Sequence, residues 1–186
     1  MDGSVRFFPR WNRDDTRQVV GLLHMVNAVF ESNPNAGRWV EVGSLYGESA
    51  TLFLGFPQIK SLVCVERSKQ HAEALKKKLA RYGHCEIVAV SSASYATTVP
   101  YRSVDVVYVD GSHEYEDVAK DIGGYWPAIA DGGFLCGHDY VPEHHFGVVR
   151  AVNEFLDSDK SLTMRLFEDG SWMIPKEGKH EGATED

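Results

Sequence analysis

Along most of the chain, short apolar runs alternate with segments in which apolar residues recur every three or four positions. The first pattern is that of a buried strand, the second that of a helix with one face on a core. Residues 16–31 carry Val19, Val20, Leu22, Leu23, Val26, Val29 and Phe30 at helical spacing and stop at SNPNAG, which predicts a helix. Residues 38–42 read as a strand, followed by GSLYG and a helix from Ser49 to about Leu54. A second strand over 62–65 leads to Ser68, a cap for a helix over 69–81 that breaks at Tyr82 and Gly83. Residues 86–90 and 104–109 read as the third and fourth strands. The fourth, VDVVYV, is the most apolar and is expected at the centre of a parallel sheet. A helix over 115–122 continues through Trp126 to Ile129, and Asp131, Gly132 and Gly133 turn into a fifth strand over 134–136. A helix over about 148–156 precedes two closing strands, 162–167 and 171–174, joined by a tight turn at Glu168, Asp169 and Gly170.

Strand–helix alternation predicts an α/β fold, a mostly parallel sheet covered on both faces, with one antiparallel strand supplied by the terminal hairpin. Ligands of such sheets sit outside the carboxyl ends of the strands, near the topological switch point. The segments that follow strands one to five are 41–49, 66–68, 91–94, 110–113 and 138–140, and every one of them is polar.

Composition narrows the class. The 186 residues are 43% hydrophobic and 25% charged, which suits one globular domain, expected over residues 1–175. A formal charge of −8 disfavours nucleic acid and anionic membrane surfaces as partners. Cys64, Cys85 and Cys136 form no CxxC, lie in or beside strand-like runs and read as small buried hydrophobes in a reducing compartment. The amino-terminal MDGSVRFFPRWNRDD carries charges where a signal peptide would be apolar, and no run is long enough for a membrane span, so a cytoplasmic location is expected. Phe7, Phe8 and Trp11 among Arg6, Arg10 and Arg13 read either as a lid or as a segment tacked onto the core; residues 176–186 read as a frayed polar tail.

Strand one ends in VEVGSLYGES, an E-x-G-x-x-x-G pattern that turns backbone N–H groups and a helix start toward a ligand. A dinucleotide site would place glycine where Leu45 stands, so the loop suits a carboxylate or amino-acid end better than a pyrophosphate. Strand two ends in VCVERS, and Glu66 at its tip can accept both hydroxyls of a ribose. Together the two motifs describe a nucleoside bearing an amino-acid-like group, which fits S-adenosylmethionine.

With VDVVYVDGSHEYEDVAKDI, WPAIADGGFLCGHDY and GVVRAVNEF added, residues 38–155 resemble the class I S-adenosylmethionine-dependent methyltransferases. The likeness is to the small subfamily of sugar and macrolide-sugar O-methyltransferases and cephalosporin-hydroxylase-like proteins. The resemblance implies a Rossmann-like, seven-stranded sheet in the order 3-2-1-4-5-7-6 with the last strand antiparallel. It implies that Glu41, Gly43, Ser44 and Gly47 hold the methionine part of the cofactor and Glu66 the ribose, with Asp110 close by, while Arg67 and Ser92 flank the adenine. Many such enzymes place an Asp near Ser92 to take the adenine amino group, whereas SSAS offers only hydroxyls and backbone.

The same resemblance places the chemistry at the tips of strands four and five, on Asp110, His113, His138 and Asp139. Neighbouring strands lie ~4.8 Å apart, so side chains at adjacent tips can converge. A hydroxyl acceptor must lose or share its proton to attack a methyl group, and either a base or a bound cation achieves that. Metal-dependent relatives use acids at both tips, usually two in a row at the second; here the second tip is His138 and Asp139. Two options therefore stand: Mg²⁺ or another divalent cation on Asp110, Asp139 and His138, or a metal-free site with His113 or His138 as the base. His144 and His145 read as a surface pair or as substrate contacts, and no 2-His-1-carboxylate set appears at clear spacing. The expected acceptor is a small molecule or a glycan terminus, with room for a second subunit to complete the site. A nicotinamide-dependent oxidoreductase and a non-catalytic S-adenosylmethionine-binding protein are the competing classes.

Overall fold

The computed structural model describes residues 16–178. Seven strands form one sheet in the order β3-β2-β1-β4-β5-β7-β6, the order the family resemblance implies. The strands are β1 (Arg38–Val42), β2 (Ser61–Val65), β3 (Cys85–Val88), β4 (Val104–Val109), β5 (Ile129–Gly137), β6 (Arg165–Leu166) and β7 (Trp172–Pro175). The first five run parallel; β7 is antiparallel to both β5 and β6. Helices α1 (Thr16–Ser32), α2 (Glu48–Phe53), α3 (Lys69–Leu79), α4 (Ser92–Ala96), α5 (Tyr115–Tyr125) and α6 (Phe146–Ser158) complete the three layers.

Side chains alternate across a strand, so β4 feeds two separate cores. Val106 and Tyr108 join α1, α2 and α3 on one face, around Trp39, Phe53 and Leu75. Val107 and Val109 join α5 and α6 on the other, around Val118, Ile122 and Trp172. All six residues of β4 are buried, as its composition predicts for a central strand. Buried Asp105 locks β4 to β1: its Oδ2 accepts from the Gly37 and Arg38 backbone N–H groups, and the Arg38 guanidinium grips both of its oxygens.

Several element bounds differ from expectation for local reasons. Strand β5 begins at Ile129 and runs through the expected turn, because Gly132 takes φ +75 and the register with β4 shifts there. Only Arg165 and Leu166 of the expected sixth strand form a ladder; Leu162 and Met164 pack on the α5–α6 core instead. Helix α4 has no apolar period, and nothing in the hydrophobic pattern announced it. Cys64 and Cys136 are buried and Cys85 half-buried, all three free. Lys176, at the start of the expected tail, is tied down by its ammonium, which donates to the Trp126 and Ile129 carbonyls. The segment 1–15 and residues 179–186 lie outside the described residues. No helix among the described residues is long and apolar enough to cross a membrane.

Candidate functional site

Between β1 and β4 the chain leaves in opposite directions across the sheet, and a cleft opens at the carboxyl ends of the strands where that switch occurs. Its volume is about 690 Å³. Every polar strand tip singled out in the sequence contributes to its wall: Gly43, Ser44, Glu66, Arg67, Ser92, Asp110, His113, His138 and Asp139 all line it.

The β1 loop is shaped by close contacts. Gly43 has φ +87, and a Cβ there would fall 2.3 Å from the Asp110 carbonyl oxygen, so only glycine lets the β1 and β4 loops pass. Gly47 also has positive φ, but its Cβ position meets Leu75 of α3 at 2.6 Å. It seats α2 against α3 and is not among the lining residues. Glu41 is fully buried and does not line the cleft either. Ser49 Oγ donates to one of its oxygens at 2.5 Å, while Glu41 Oε2 and Ser44 Oγ are buried without hydrogen-bond partners among the described residues. Burial raises the Glu41 carboxyl above its ordinary range. Unpaired buried polar atoms of this kind are costly, and of the two only Ser44 lines the cleft, where its hydroxyl can meet a charged end group of a ligand. At the β2 tip Glu66 is buried, accepting from the backbone N–H of Leu45 at 3.0 Å and of Ser68 at 2.7 Å.

The β4–β5 end is built from ionisable side chains. Asp139 has φ +62, a left-handed conformation rare outside glycine, and it carries the carboxylate around which three imidazoles gather. Its Oδ2 lies 2.8 Å from His113 Nε2, its Oδ1 3.0 Å from His138 Nδ1 and 3.6 Å from His145 Nε2. The His113 and His145 rings are 4.0 Å apart. On its other side His138 faces buried Asp169, Nε2 to Oδ2 at 3.7 Å. Asp169 in turn accepts from the backbone N–H of Leu22 and of Ser171. It comes so close to α1 that a Cβ on Gly21 would collide with it.

These contacts set the charges. Burial alone would pull the His138 imidazolium down, but the hydrogen bonds to Asp139 and Asp169 outweigh it and hold the group up at about 10. For Asp139, burial pushes upward and the hydrogen bond and charge of His138, with His113 and His145, bring it down to about 2. Burial raises Asp110 to about 8, against the opposing charge of His138. Two groups of ligand-type atoms lie within 4.8 Å of one another: Asp110, His138 and Asp139, and separately His113, Asp139 and His145. The second is a 2-His-1-carboxylate set that sequence spacing concealed, since its members come from the loop after β4, the end of β5 and the turn before α6.

Two residues of the site, Asp169 and Asp121, are missed in the sequence. For His145 the sequence offers a surface pair or a substrate contact, and the structure packs it on His113. Asp169 read as turn chemistry, and nothing local betrays its burial against His138. Asp121 of α5 lines the cleft and receives a hydrogen bond from Ser92 Oγ. Its signal was available: it shares the buried stripe of α5 with Val118, Ile122 and Tyr125, where an acid is out of place.

The sheet order and the cleft at its switch point define the class as a Rossmann-like methyltransferase fold. A family model described as methyltransferase domain matches residues 40–140, and the chain belongs to that family. It is 26% identical over 113 residues to an uncharacterized protein of Acanthamoeba polyphaga mimivirus, covering 55% of this chain and 51% of that protein. The chain thus spans about half the length of the curated relative it matches. A Staphylococcus aureus structure described as a caffeoyl-CoA O-methyltransferase superposes with a TM-score of 0.68 at 19% identity, over 91% of this chain and 86% of that one. An O-methyltransferase from Bacillus cereus, in complex with SAH, gives a TM-score of 0.67 at 14% identity, over 88% and 82%. At these identities the structural likeness speaks for the fold.

Proposed function

We propose that the chain is a methyltransferase that moves a methyl group from S-adenosylmethionine to a hydroxyl oxygen of a sugar or small metabolite, with His113 as the base. The carrying observation is the His113–Asp139 pair, 2.8 Å apart, at the end of the cleft opposite Glu66. The cofactor, when bound, supplies an electrophilic methyl on a sulfonium. The residues fit it: the unpaired Ser44 hydroxyl in the cleft wall suits its amino-acid end and the buried Glu66 its ribose. Membership of the methyltransferase-domain family and a fold shared with an enzyme crystallised with SAH support the same cofactor.

Asp139, ionised well below neutral pH, accepts the Nε2 proton of His113 and so leaves Nδ1 as the basic nitrogen. With its side chain 49% exposed, His113 is open to an acceptor in the cleft. An acceptor oxygen attacking the methyl carbon would displace the neutral thioether, and His113 would take the hydroxyl proton. His138 keeps a positive charge behind Asp139 and Asp110 and faces carboxylates with both nitrogens. That arrangement leaves it no lone pair for a cation, so Asp110, His138 and Asp139 fit Mg²⁺ poorly. A cation-assisted reaction is the second reading, favoured by the 2-His-1-carboxylate grouping of His113, Asp139 and His145. Among the described residues the connections between strands carry no long insertion, which favours a glycan terminus or another acceptor that need not be engulfed.

The experiment is methyl transfer from labelled S-adenosylmethionine to a panel of sugars and hydroxylated metabolites, with EDTA and with Mg²⁺ or Mn²⁺. Turnover that survives EDTA and is lost in His113→Ala supports the base; turnover restored only by a cation supports the second reading. NADH binding with no S-adenosylhomocysteine binding would overturn both in favour of an oxidoreductase. Cofactor binding without transfer to any acceptor, unchanged by His113→Ala, would mark a binding protein.

A further inference from the structure

Asp121 is an acid in the wrong place for a structural helix. It lies on the face of α5 that Val118, Ile122 and Tyr125 bury against the sheet, and it is 6% exposed. Burying a carboxyl is unfavourable unless partners compensate. Its one hydrogen bond among the described residues comes from Ser92 Oγ to Oδ1, which leaves Oδ2 with no donor. Burial accordingly pushes its carboxyl upward.

The surroundings hold it in that position. The Tyr125 hydroxyl donates to the Ser92 carbonyl at 3.1 Å, fixing the start of α4 to α5. Gly124 brings the two helices together: a Cβ there would lie 3.3 Å from the Cβ of Ala96. Asp121 and Ser92 thus form one tethered unit in the cleft wall. Glu66, the ribose position, is at the β2 tip, and the next tip outward, after β3, is Ser91–Ala93. Since β3 lies outside β2, and Glu66, Ser92 and Asp121 line one cleft, a base attached to that ribose and directed outward would lie toward Ser92 and Asp121.

We infer that Asp121 reads the exocyclic amino group of the cofactor's adenine, supplying from α5 the acid that the β3 loop lacks. The inference rests on the S-adenosylmethionine reading of the cleft. An amino group donates to the open Asp121 oxygen, whereas a purine carrying a carbonyl there would set acceptor against acceptor. Asp121 is therefore a specificity determinant that favours an adenine nucleoside over its deaminated counterpart.

The test is calorimetric titration of the full chain with S-adenosylhomocysteine and with its inosine counterpart, S-inosylhomocysteine. The wild type should bind the adenine form on the order of 10- to 100-fold more tightly, the range of a hydrogen bond to a charged group. In Asp121→Asn, whose amide can present either a donor or an acceptor, that ratio should fall to within about threefold. If Asp121→Asn does not fold, Ser92→Ala, which frees Asp121 from its tether, must lower the same ratio. A ratio unchanged in the folded variant, or a wild type that binds both forms equally, overturns the assignment while leaving the cofactor reading intact. A wild type that binds neither ligand overturns the cofactor reading, and this inference with it.

Discussion

The two ends of the cleft are made of different materials. Around β1 and β2 the wall is backbone and small side chains: Gly43 at positive φ, the Leu45 and Ser68 N–H groups turned to Glu66, and the Ser44 hydroxyl without a partner. Around β4 and β5 it is a continuous ionic chain, Asp169 to His138 to Asp139 to His113, with His145 beside it. The first end is incomplete without a ligand; the second is electrostatically complete by itself. On the proposed function one end binds and the other holds a proton-accepting group in a fixed state, so the two should respond to substitution independently.

The largest effect expected on that division is in turnover. His113→Ala should lower methyl transfer by about 10²–10⁴-fold, the usual worth of a general base. A comparable loss for a distant surface variant such as Lys160→Ala, whose ion pair with Asp157 is exposed, would break the distinction. Next comes stability. Asp169→Ala removes the acceptor of two backbone N–H groups and one carboxylate partner of His138, and should cost about 3 kcal/mol. Urea unfolding measures this, and a change below about 1 kcal/mol would mean that the ionic chain is not a structural unit.

Smaller and broader is the dependence of stability on pH. His138 and Asp110 are both raised in the folded state, to about 10 and about 8. Each binds its proton more tightly folded than unfolded, so the share of Asp110 is lost as pH climbs from about 4 to about 8 and that of His138 as it climbs from about 6.5 to about 10. Asp139 is depressed to about 2, so its contribution is present above about 4 and lost as pH falls through 2. Melting temperatures across this range should show the alkaline decline, and His138→Gln should flatten it. A wild-type profile that is flat from 7 to 10 would contradict the charge assignment. The smallest effect is that of EDTA, which should leave turnover within about twofold; a loss rescued by Mn²⁺ would move the chemistry to the His113, Asp139 and His145 set.

The same division explains what was legible in the sequence. VEVGSLYGES and VCVERS are contiguous, and their strand–turn–helix chemistry is local, so the Glu66 end could be read directly. The other end draws on residues 113, 138, 139, 145 and 169, brought together by the β4–β5 pairing and the β5–β7 return. Asp110 and His138 could be read because they terminate apolar strands. Asp169 could not, because an acid beside glycine in a hairpin looks the same whether it faces water or an imidazolium. In the fold, β4 was plain from six apolar or buried-compatible residues in a row, while α4 was invisible, being capped by Ser91 rather than driven by burial. Gly47 shows a demand the motif does not reveal: the glycine of this loop is fixed by packing against Leu75.

The most direct test of the division is calorimetric titration of S-adenosylhomocysteine into the wild type, Glu66→Ala and His113→Ala. Binding by the wild type, weakened on the order of 10-fold or more by Glu66→Ala and unchanged within about twofold by His113→Ala, is the expected result. Equal weakening by both substitutions, or no binding by the wild type, would contradict it.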